Sequence, residues 1–294
     1  MDDYHLMEFH TSDEWIVQRT GIRERRITTE TEFTSHLCIR AVENLLESYG
    51  GSLEDVDLIL VATHTPDVPF PSVASLVQKH FDVRHTGALD VNATCAGFTY
   101  ALHMANSLIT AGLHNKILVI GADTLSKITD YTDRTTCILF DDGAGAFLAH
   151  HLGSDGKGGI HLYRARLADQ LDGYPLAGEG NLVQNCREVY RFAVSTVPKG
   201  VNTLLEQAEL EAKDIDWFIP HSANLRIIEV LEERTGIPVE HTLYNLEYFG
   251  NTSAASIPLA LHIGIKEGKV KKGDRILLYG FGGGYVHGGI IFTW

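Results

Sequence analysis

A single offset, 159 residues, relates three separate stretches of this chain. Asp55-Val56-Asp57-Leu58-Ile59-Leu60 returns as Asp214-Ile215-Asp216-Trp217-Phe218-Ile219, and Lys116-Ile117-Leu118-Val119-Ile120-Gly121 returns as Arg275-Ile276-Leu277-Leu278-Tyr279-Gly280. Asn92-Ala93-Thr94-Cys95-Ala96 lies over Asn251-Thr252-Ser253-Ala254-Ala255 in the same register. Chance can give one such match, but a fixed register over roughly sixty residues implies two copies of one architecture. The period is too long for a solenoid unit. Apolar strand-like runs alternate with helix-like ones, the pattern of mostly parallel sheets with helices on their faces. The expected fold is a duplicated α/β structure with two pseudo-symmetric halves, 1–153 and 154–294, meeting at the turn Gly153-Ser154-Asp155-Gly156-Lys157-Gly158-Gly159.

A chain of 294 residues, 44% hydrophobic and 21% charged, can bury a large core. Its first residues lack a basic segment followed by an apolar one, and no run approaches the length of a membrane helix, so a cytoplasmic protein without membrane contact is expected. The cysteines at 38, 95, 137 and 186 show neither a paired framework nor a CxxC metal motif, and HExxH is absent. Cys38 reads as a core residue in a helix and Cys137 as one in a strand. A net charge of −14 argues against nucleic acid as a partner. One basic patch departs from that balance: Arg19, Arg23, Arg25 and Arg26 crowd beside Trp15, a set suited either to phosphates and a flat ring or to a salt-bridged surface.

Apolar residues at helical spacing predict a helix over Thr34 to Tyr49, closed by Gly50-Gly51. A strand over Leu58 to Ala62, a helix near Val73 to His80 and a strand leading to Cys95 follow. Cys95 thus falls where a strand ends in small residues and a helix begins. There unpaired N–H groups and the helix dipole favour a thiolate and offer donors to an oxyanion. Two residues of the second half also fall at strand ends: His221, directly after Asp216 to Pro220, and Asn251. In open α/β sheets ligands gather at the carboxyl ends of strands, so the duplication can bring all three to one cleft. A histidine so placed serves either as a catalytic partner or as a structural hydrogen-bonder.

Four runs together carry a family resemblance: Thr11-Ser12-Asp13-Glu14-Trp15 through Arg19-Thr20-Gly21-Ile22-Arg23-Glu24-Arg25, then Cys95-Ala96-Gly97-Phe98, Pro220-His221-Ser222-Ala223-Asn224-Leu225-Arg226, and Gly250-Asn251-Thr252-Ser253-Ala254-Ala255-Ser256. Over nearly its whole length the chain resembles β-ketoacyl-acyl-carrier-protein synthase III, the initiating condensing enzyme of type II fatty-acid synthesis in the thiolase superfamily. The resemblance implies a thiolase-like, five-layered αβαβα fold, a homodimer, and a Cys95, His221, Asn251 triad. It implies ping-pong chemistry: Cys95 takes the acyl group of an acyl-CoA, with the N–H groups of Cys95 and Gly283 as oxyanion hole. His221 and Asn251 then stabilise the enolate formed by decarboxylation of malonyl-acyl-carrier protein.

By the same resemblance Trp15 and Arg134 sandwich the adenine of coenzyme A, Arg19 meets its phosphates, and Thr11 falls beside them. Ser222, Ala223, Asn224, Leu225 and Arg226 form the region that docks the carrier protein. Phe281 lines the acyl cavity, and Phe70 enters the partner subunit's acyl pocket. No cofactor or metal is implied; coenzyme A enters as the substrate's carrier. Gly280-Phe281-Gly282-Gly283-Gly284 is no dinucleotide fingerprint, since the strand-like Ile290-Ile291-Phe292 follows it. Primer preference stays open among acetyl, straight and branched acyl groups, with Asp130-Tyr131-Thr132-Asp133-Arg134-Thr135-Thr136 leaning toward branched ones.

Two departures from the family stand out. Its members open with a further strand, a glycine and a Tyr-Leu-Pro turn, where this chain begins Met1-Asp2-Asp3-Tyr4; a loosened coenzyme A site is the expected consequence. Asp141 replaces a glycine in Phe140-Asp141-Asp142-Gly143, a costly exchange if that backbone needs positive φ. The alternatives are a Cys-His-Asn polyketide-type synthase of the same superfamily and an impaired acyl-binding protein. A thiolase needs a second catalytic cysteine, which Ala254 and the glycine-rich segment do not supply.

Overall fold

Residues 11–150, 170–171, 174–175, 182 and 184–294 are described by the structure, a computed structural model. The opening residues 1–10 and the expected break at 153–159 lie outside the described residues.

Side-chain alternation along the strands decides the layering. In the first sheet, β1 (Leu58–Ala62), β2 (Gly87–Val91), β3 (Lys116–Thr124) and β4 (Asp142–His150) run in the order β2-β1-β3-β4, with only β4 antiparallel. Successive residues of a strand face opposite sides. Leu58, Leu60, Ile117 and Val119 accordingly enter one apolar cluster, while Ile59, Val61, Leu118 and Ile120 enter another with Cys38, Val42, Val73 and Val77. Those last four belong to α2 (Thr34–Tyr49) and α3 (Val73–His80), which cover the outer face. Both helices and β1 match the expected bounds, and Gly50 caps α2 in the left-handed conformation at φ 67°.

The second sheet repeats the scheme with β5 (Trp217–Pro220), β6 (Arg275–Gly282) and antiparallel β7 (Val286–Thr293) in the order β5-β6-β7. Phe218, Leu277 and Tyr279 face outward, into a cluster with residues of α5 (Cys186–Gln207) and α6 (Leu225–Thr235). Ile219, Ile276 and Leu278 face inward, toward Leu58 and Val119 of the first sheet. Between the sheets lie α4 (Gly97–Thr110) and α7 (Ser256–Lys266), which contribute Phe98, Ala101, Ile257 and Leu261 to that shared core. The result is five layers: helices, sheet, helices, sheet, helices.

The offset of 159 residues is visible at atomic level. Thr94 at φ 47° and Ser253 at φ 51° are equivalent positions, and each opens a short 3-10 turn, Thr94–Ala96 or Ser253–Ala255, that feeds a central helix. Two glycines, also 159 apart, let the halves touch. A Cβ on Gly121 would collide with the carbonyl oxygen of Ala254, and one on Gly280 would come within 2.8 Å of Ala96 Cα. Each central turn therefore rests on the middle strand of its counterpart.

One expectation is corrected here. Cys137 is buried as expected but lies in a run of turns instead of a strand. The Asp133 carboxylate accepts from the backbone N–H of Thr135 at 2.8 Å and from the Thr136 hydroxyl at 2.7 Å, which winds the segment into turns. Among the described residues no helix is long and apolar enough to cross a membrane.

Candidate active site

Cys95 occupies the 3-10 turn between β2 and α4, at the carboxyl end of a strand and the start of a helix as expected. Its surroundings differ from the expectation of a thiolate. Gly282 lies so close that a Cβ there would come within 2.7 Å of Cys95 Cβ. Burial pushes the thiol up to about 11, and the charge of Asp123 adds to that. The Ser253 hydroxyl and the backbone N–H of Gly283 pull the other way without prevailing. Cys95 is therefore a neutral thiol at neutral pH.

One short segment, 251–256, touches all three expected triad members. The Asn251 side-chain oxygen accepts from the backbone N–H of Ser253 at 3.0 Å, which identifies that atom as the oxygen and leaves the amide nitrogen as a free donor. Ser253 Oγ donates to Cys95 Sγ at 3.4 Å. Three residues on, Ser256 Oγ lies 2.7 Å from His221 Nδ1. The edge of Phe281 completes this pocket, its ring centroid 5.2 Å from that of His221 and its side chain fully enclosed. Burial lowers His221 to about 3, against the opposing pull of Asp123, so the imidazole is neutral. Neither His221 Nε2 nor the Asn251 amide nitrogen is engaged by another group among the described residues.

Asp123, fully buried at the end of β3, underlies the pocket. One of its oxygens accepts from the Thr63 and Thr65 hydroxyls and from the His64 backbone at 2.9 to 3.0 Å; the other accepts from Ala254 N–H at 3.2 Å. Burial works to raise its pKa, and the His64 side chain and backbone N–H outweigh it and hold it below the usual carboxylate range. Ser253, Ser256 and Asp123 were not singled out in the sequence. The signal was present in the repeat: Ser253 and Ser256 stand where the first half has Thr94 and Gly97.

The remaining expected residues fall on two rims. Trp15, on α1 (Asp13–Thr20), has the Arg19 guanidinium 4.8 Å and the Arg134 guanidinium 5.1 Å from its ring centroid. Thr11 precedes that helix, its hydroxyl buried and without a hydrogen-bond partner among the described residues. Thr94 Oγ1 donates to the carbonyl of exposed Gly283 at 3.1 Å. Arg226 is exposed and donates to the Gln18 carbonyl at 3.1 Å; Asn224 donates to the Arg19 carbonyl at 3.3 Å. Within the expected docking run Ser222 and Ala223 are buried, Asn224 and Leu225 are half-buried and Arg226 is exposed. Phe70 is 85% exposed and far from being part of this core.

Asp141 adopts no positive φ, so its cost is not conformational. It is buried beside Gly250, one carboxylate oxygen accepting from Arg26 N–H at 2.7 Å and the other lacking a partner among the described residues. Burial pushes its pKa up to about 8. Its own N–H donates to the Asn251 carbonyl at 3.0 Å. No group of three or more His, Cys, Asp or Glu among the described residues could hold a metal ion.

Comparison with known proteins agrees with this architecture. The pattern described as 3-oxoacyl-[acyl-carrier-protein (ACP)] synthase III matches residues 89–165, and its C-terminal counterpart matches 205–294. The chain is 57% identical to beta-ketoacyl-[acyl-carrier-protein] synthase III 2 of Bacillus cereus, over 97% of this chain and 90% of that one. Two solved synthase III structures superpose closely: that of Thermus thermophilus with a TM-score of 0.90 and 43% identity, covering 100% of this chain and 95% of the other, and that of Aquifex aeolicus with 0.91 and 40%, over the same shares.

Proposed function

Because the chain belongs to the 3-oxoacyl-[acyl-carrier-protein] synthase III family, an initiating condensing enzyme of fatty-acid synthesis with the duplicated thiolase-like fold, we propose that Cys95, His221 and Asn251 carry its two half-reactions. The observation that supports this most directly is the segment 251–256, which hydrogen-bonds Cys95 through Ser253, orients Asn251 and meets His221 through Ser256.

In the first half-reaction Cys95 Sγ attacks the thioester carbon of an acyl-CoA. The bond from that carbon to the coenzyme A sulfur breaks, and the proton shed by Cys95 leaves with coenzyme A. The N–H groups of Cys95 and Gly283 face the developing oxyanion. In the second, malonyl-acyl-carrier protein loses CO2, and the electron pair of the broken C–C bond passes into an enolate. His221 Nε2 and the Asn251 amide donate to the enolate oxygen. Its carbon attacks the acyl-enzyme, a C–C bond forms as the bond from the acyl carbon to Sγ breaks, and Cys95 leaves as a thiolate that takes up a proton from solvent. Every step uses side chains and backbone N–H groups, so no cofactor or metal is called for.

The coenzyme A moiety is taken up at Thr11, Trp15, Arg19 and Arg134, with the carrier protein docking at Asn224, Leu225 and Arg226. We further infer two pseudo-symmetric halves, 1–153 and 154–294, a cytoplasmic location, and a homodimer. Strand β2 is an open edge of the first sheet, Leu89 on it is 40% exposed and Phe70 is exposed too, features that pairing with a second copy would cover. In that dimer Phe70 enters the partner's acyl pocket, and Phe281 backs His221 from within. Mass spectrometry after mixing with acyl-CoA tests the assignment. An acyl adduct on Cys95 is expected, absent in Cys95→Ala. Asn251→Ala should still acylate but decarboxylate poorly, and normal decarboxylation by that variant would contradict the assignment.

A further inference from the structure

A histidine that donates to an enolate oxygen through Nε2 must carry its single proton there, and the neutral ring offers a choice of two nitrogens. Something must make that choice. His221 is 1% exposed and Ser256 is fully buried, so water is not free to fill the role.

The geometry around Ser256 Oγ leaves one arrangement. The backbone N–H of Ser222 points to this oxygen at 3.3 Å, and a backbone N–H can only donate, so one lone pair is occupied. His221 Nδ1 lies 2.7 Å away. No other acceptor lies within hydrogen-bond reach of this hydroxyl among the described residues. Its proton therefore goes to His221 Nδ1. An Nδ1 that accepts is bare, and a neutral ring with a bare Nδ1 holds its proton on Nε2. The opposite arrangement, with Nδ1–H donating to Ser256, would leave the buried hydroxyl proton without an acceptor, a loss comparable to a broken hydrogen bond.

The internal repeat supplies an independent contrast. Shifted by 159 residues, His221 and Ser256 correspond to Ala62 and Gly97. Those two are also in contact: a Cβ on Gly97 would lie 3.1 Å from Ala62 Cβ. The fold thus brings this pair of positions together in both halves without needing any hydrogen bond. Only the half that carries an imidazole also carries a hydroxyl opposite it, which separates the serine from a merely architectural role.

We propose that Ser256 is a positioning residue that holds His221 in the Nε2-protonated tautomer, ready to donate to the enolate oxygen. This rests on the reading of His221 as an enolate donor, and the test keeps the two apart. Protein labelled with nitrogen-15 in histidine, with the His221 signals identified by their loss in His221→Gln, should show a bare Nδ1 and a protonated Nε2 between pH 6 and pH 8 in the unsubstituted chain. In Ser256→Ala the His221 signals should shift toward a mixture of tautomers. Decarboxylation of malonyl-acyl-carrier protein should then fall roughly tenfold relative to Cys95 acylation, the weight of one hydrogen bond. A protonated Nδ1 in the unsubstituted chain overturns the proposal whether or not the variant folds. So does a folded Ser256→Ala with an unchanged spectrum and an unchanged ratio of the two rates. A chain whose Cys95 takes no acyl group from acyl-CoA would instead sink the functional reading, while the spectra still report the tautomer.

Discussion

Ser253 Oγ donates to Cys95 Sγ across 3.4 Å, and the same serine faces the buried Asp123. The Cys95 thiol is therefore held between a donor that favours its anion and a charge that opposes it. With burial added, the opposition prevails and the thiol is raised to about 11. Alkylation of Cys95 by iodoacetamide should consequently keep rising about tenfold per pH unit from pH 7 to pH 9.5, since the thiolate is the reactive form. Peptide-resolved mass spectrometry distinguishes this site from Cys186. A plateau below pH 9 would mean that the thiolate is already formed at rest.

His221 supplies a complementary expectation. Burial keeps it neutral down to about 3, so decarboxylation should show no loss attributable to its protonation between pH 7.5 and pH 5.5. The sign for stability follows the same shift: a depressed folded pKa gives stability present above the unfolded value near 6.5 and lost as pH falls toward 3. His221→Gln should flatten part of that acid slope in thermal melting. An inflection in the decarboxylation rate near pH 6.5, lost in this variant, would show that the imidazole titrates in the folded state.

Asp141 should destabilise the protein as pH rises. Its carboxyl, raised by burial to about 8, holds a proton in the folded state that the unfolded chain has already released above about 4. Linkage then makes its contribution full below the unfolded value and lost as pH climbs through about 8. Asp141→Asn keeps an acceptor for Arg26 N–H and removes the ionisation. Its melting temperature should come nearest that of the unsubstituted chain below about pH 4 and exceed it by a growing margin toward pH 8. Parallel melting curves for the two proteins at every pH would refute this.

The repeat made the two sheets and their central helices legible, because Asp55 to Leu60 and Asp214 to Ile219 preserve one pattern of charge and alternation on either side of the duplication. Cys95 and His221 were legible as strand-end residues for the same reason, whereas Asn251, also expected at a strand end, follows the short helix Leu246–Phe249 and meets Phe140 only in an isolated bridge. The electrostatics were not. A helix start favours a thiolate, but what closes over Cys95 depends on Gly282, nearly two hundred residues away. Burial of Ser222 and Ala223 was hidden likewise, since it depends on the inward turn of Ser222, whose N–H donates to the distant Ser256 Oγ. Cys137 looked extended because Ile138, Leu139 and Phe140 follow it, whereas the Asp133 carboxylate settles the local winding.

Gly280 should tolerate no side chain. A Cβ there would meet Thr99 Oγ1 at 2.7 Å and Ala96 Cα at 2.8 Å, and the latter is backbone of the turn that bears Cys95. Gly280→Ala must push that turn away from β6, at a cost of about 1 to 3 kcal/mol in stability. Acylation of Cys95 should slow as well, because Cys95 moves against its oxyanion donors. Gly268→Ala, in open space at the end of α7 but at φ 70°, is the control for a pure backbone penalty, and it should lose stability with no change in acylation. Equal effects of both variants on acylation would remove the link between the close approach and the nucleophile.

Arg226 is expected to separate the two proposed substrates. It is exposed at the start of α6, and its guanidinium donates to the Gln18 carbonyl, one residue before Arg19 on the proposed coenzyme A rim. A charge at the margin of an interface acts chiefly on association and its salt dependence, and the acidic carrier protein offers a far larger charged surface than coenzyme A does. Arg226→Glu should therefore raise KM for malonyl-acyl-carrier protein about tenfold or more at low salt, with the defect shrinking as ionic strength screens the rim. The lost hydrogen bond to Gln18 predicts a smaller, salt-independent rise in KM for acyl-CoA. Arg226→Gln divides these contributions, since it removes the charge without reversing it. Acylation and condensation measured across a salt series in both variants provide the check. Equal losses toward both substrates, independent of salt, would reduce Arg226 to a tie between α6 and α1.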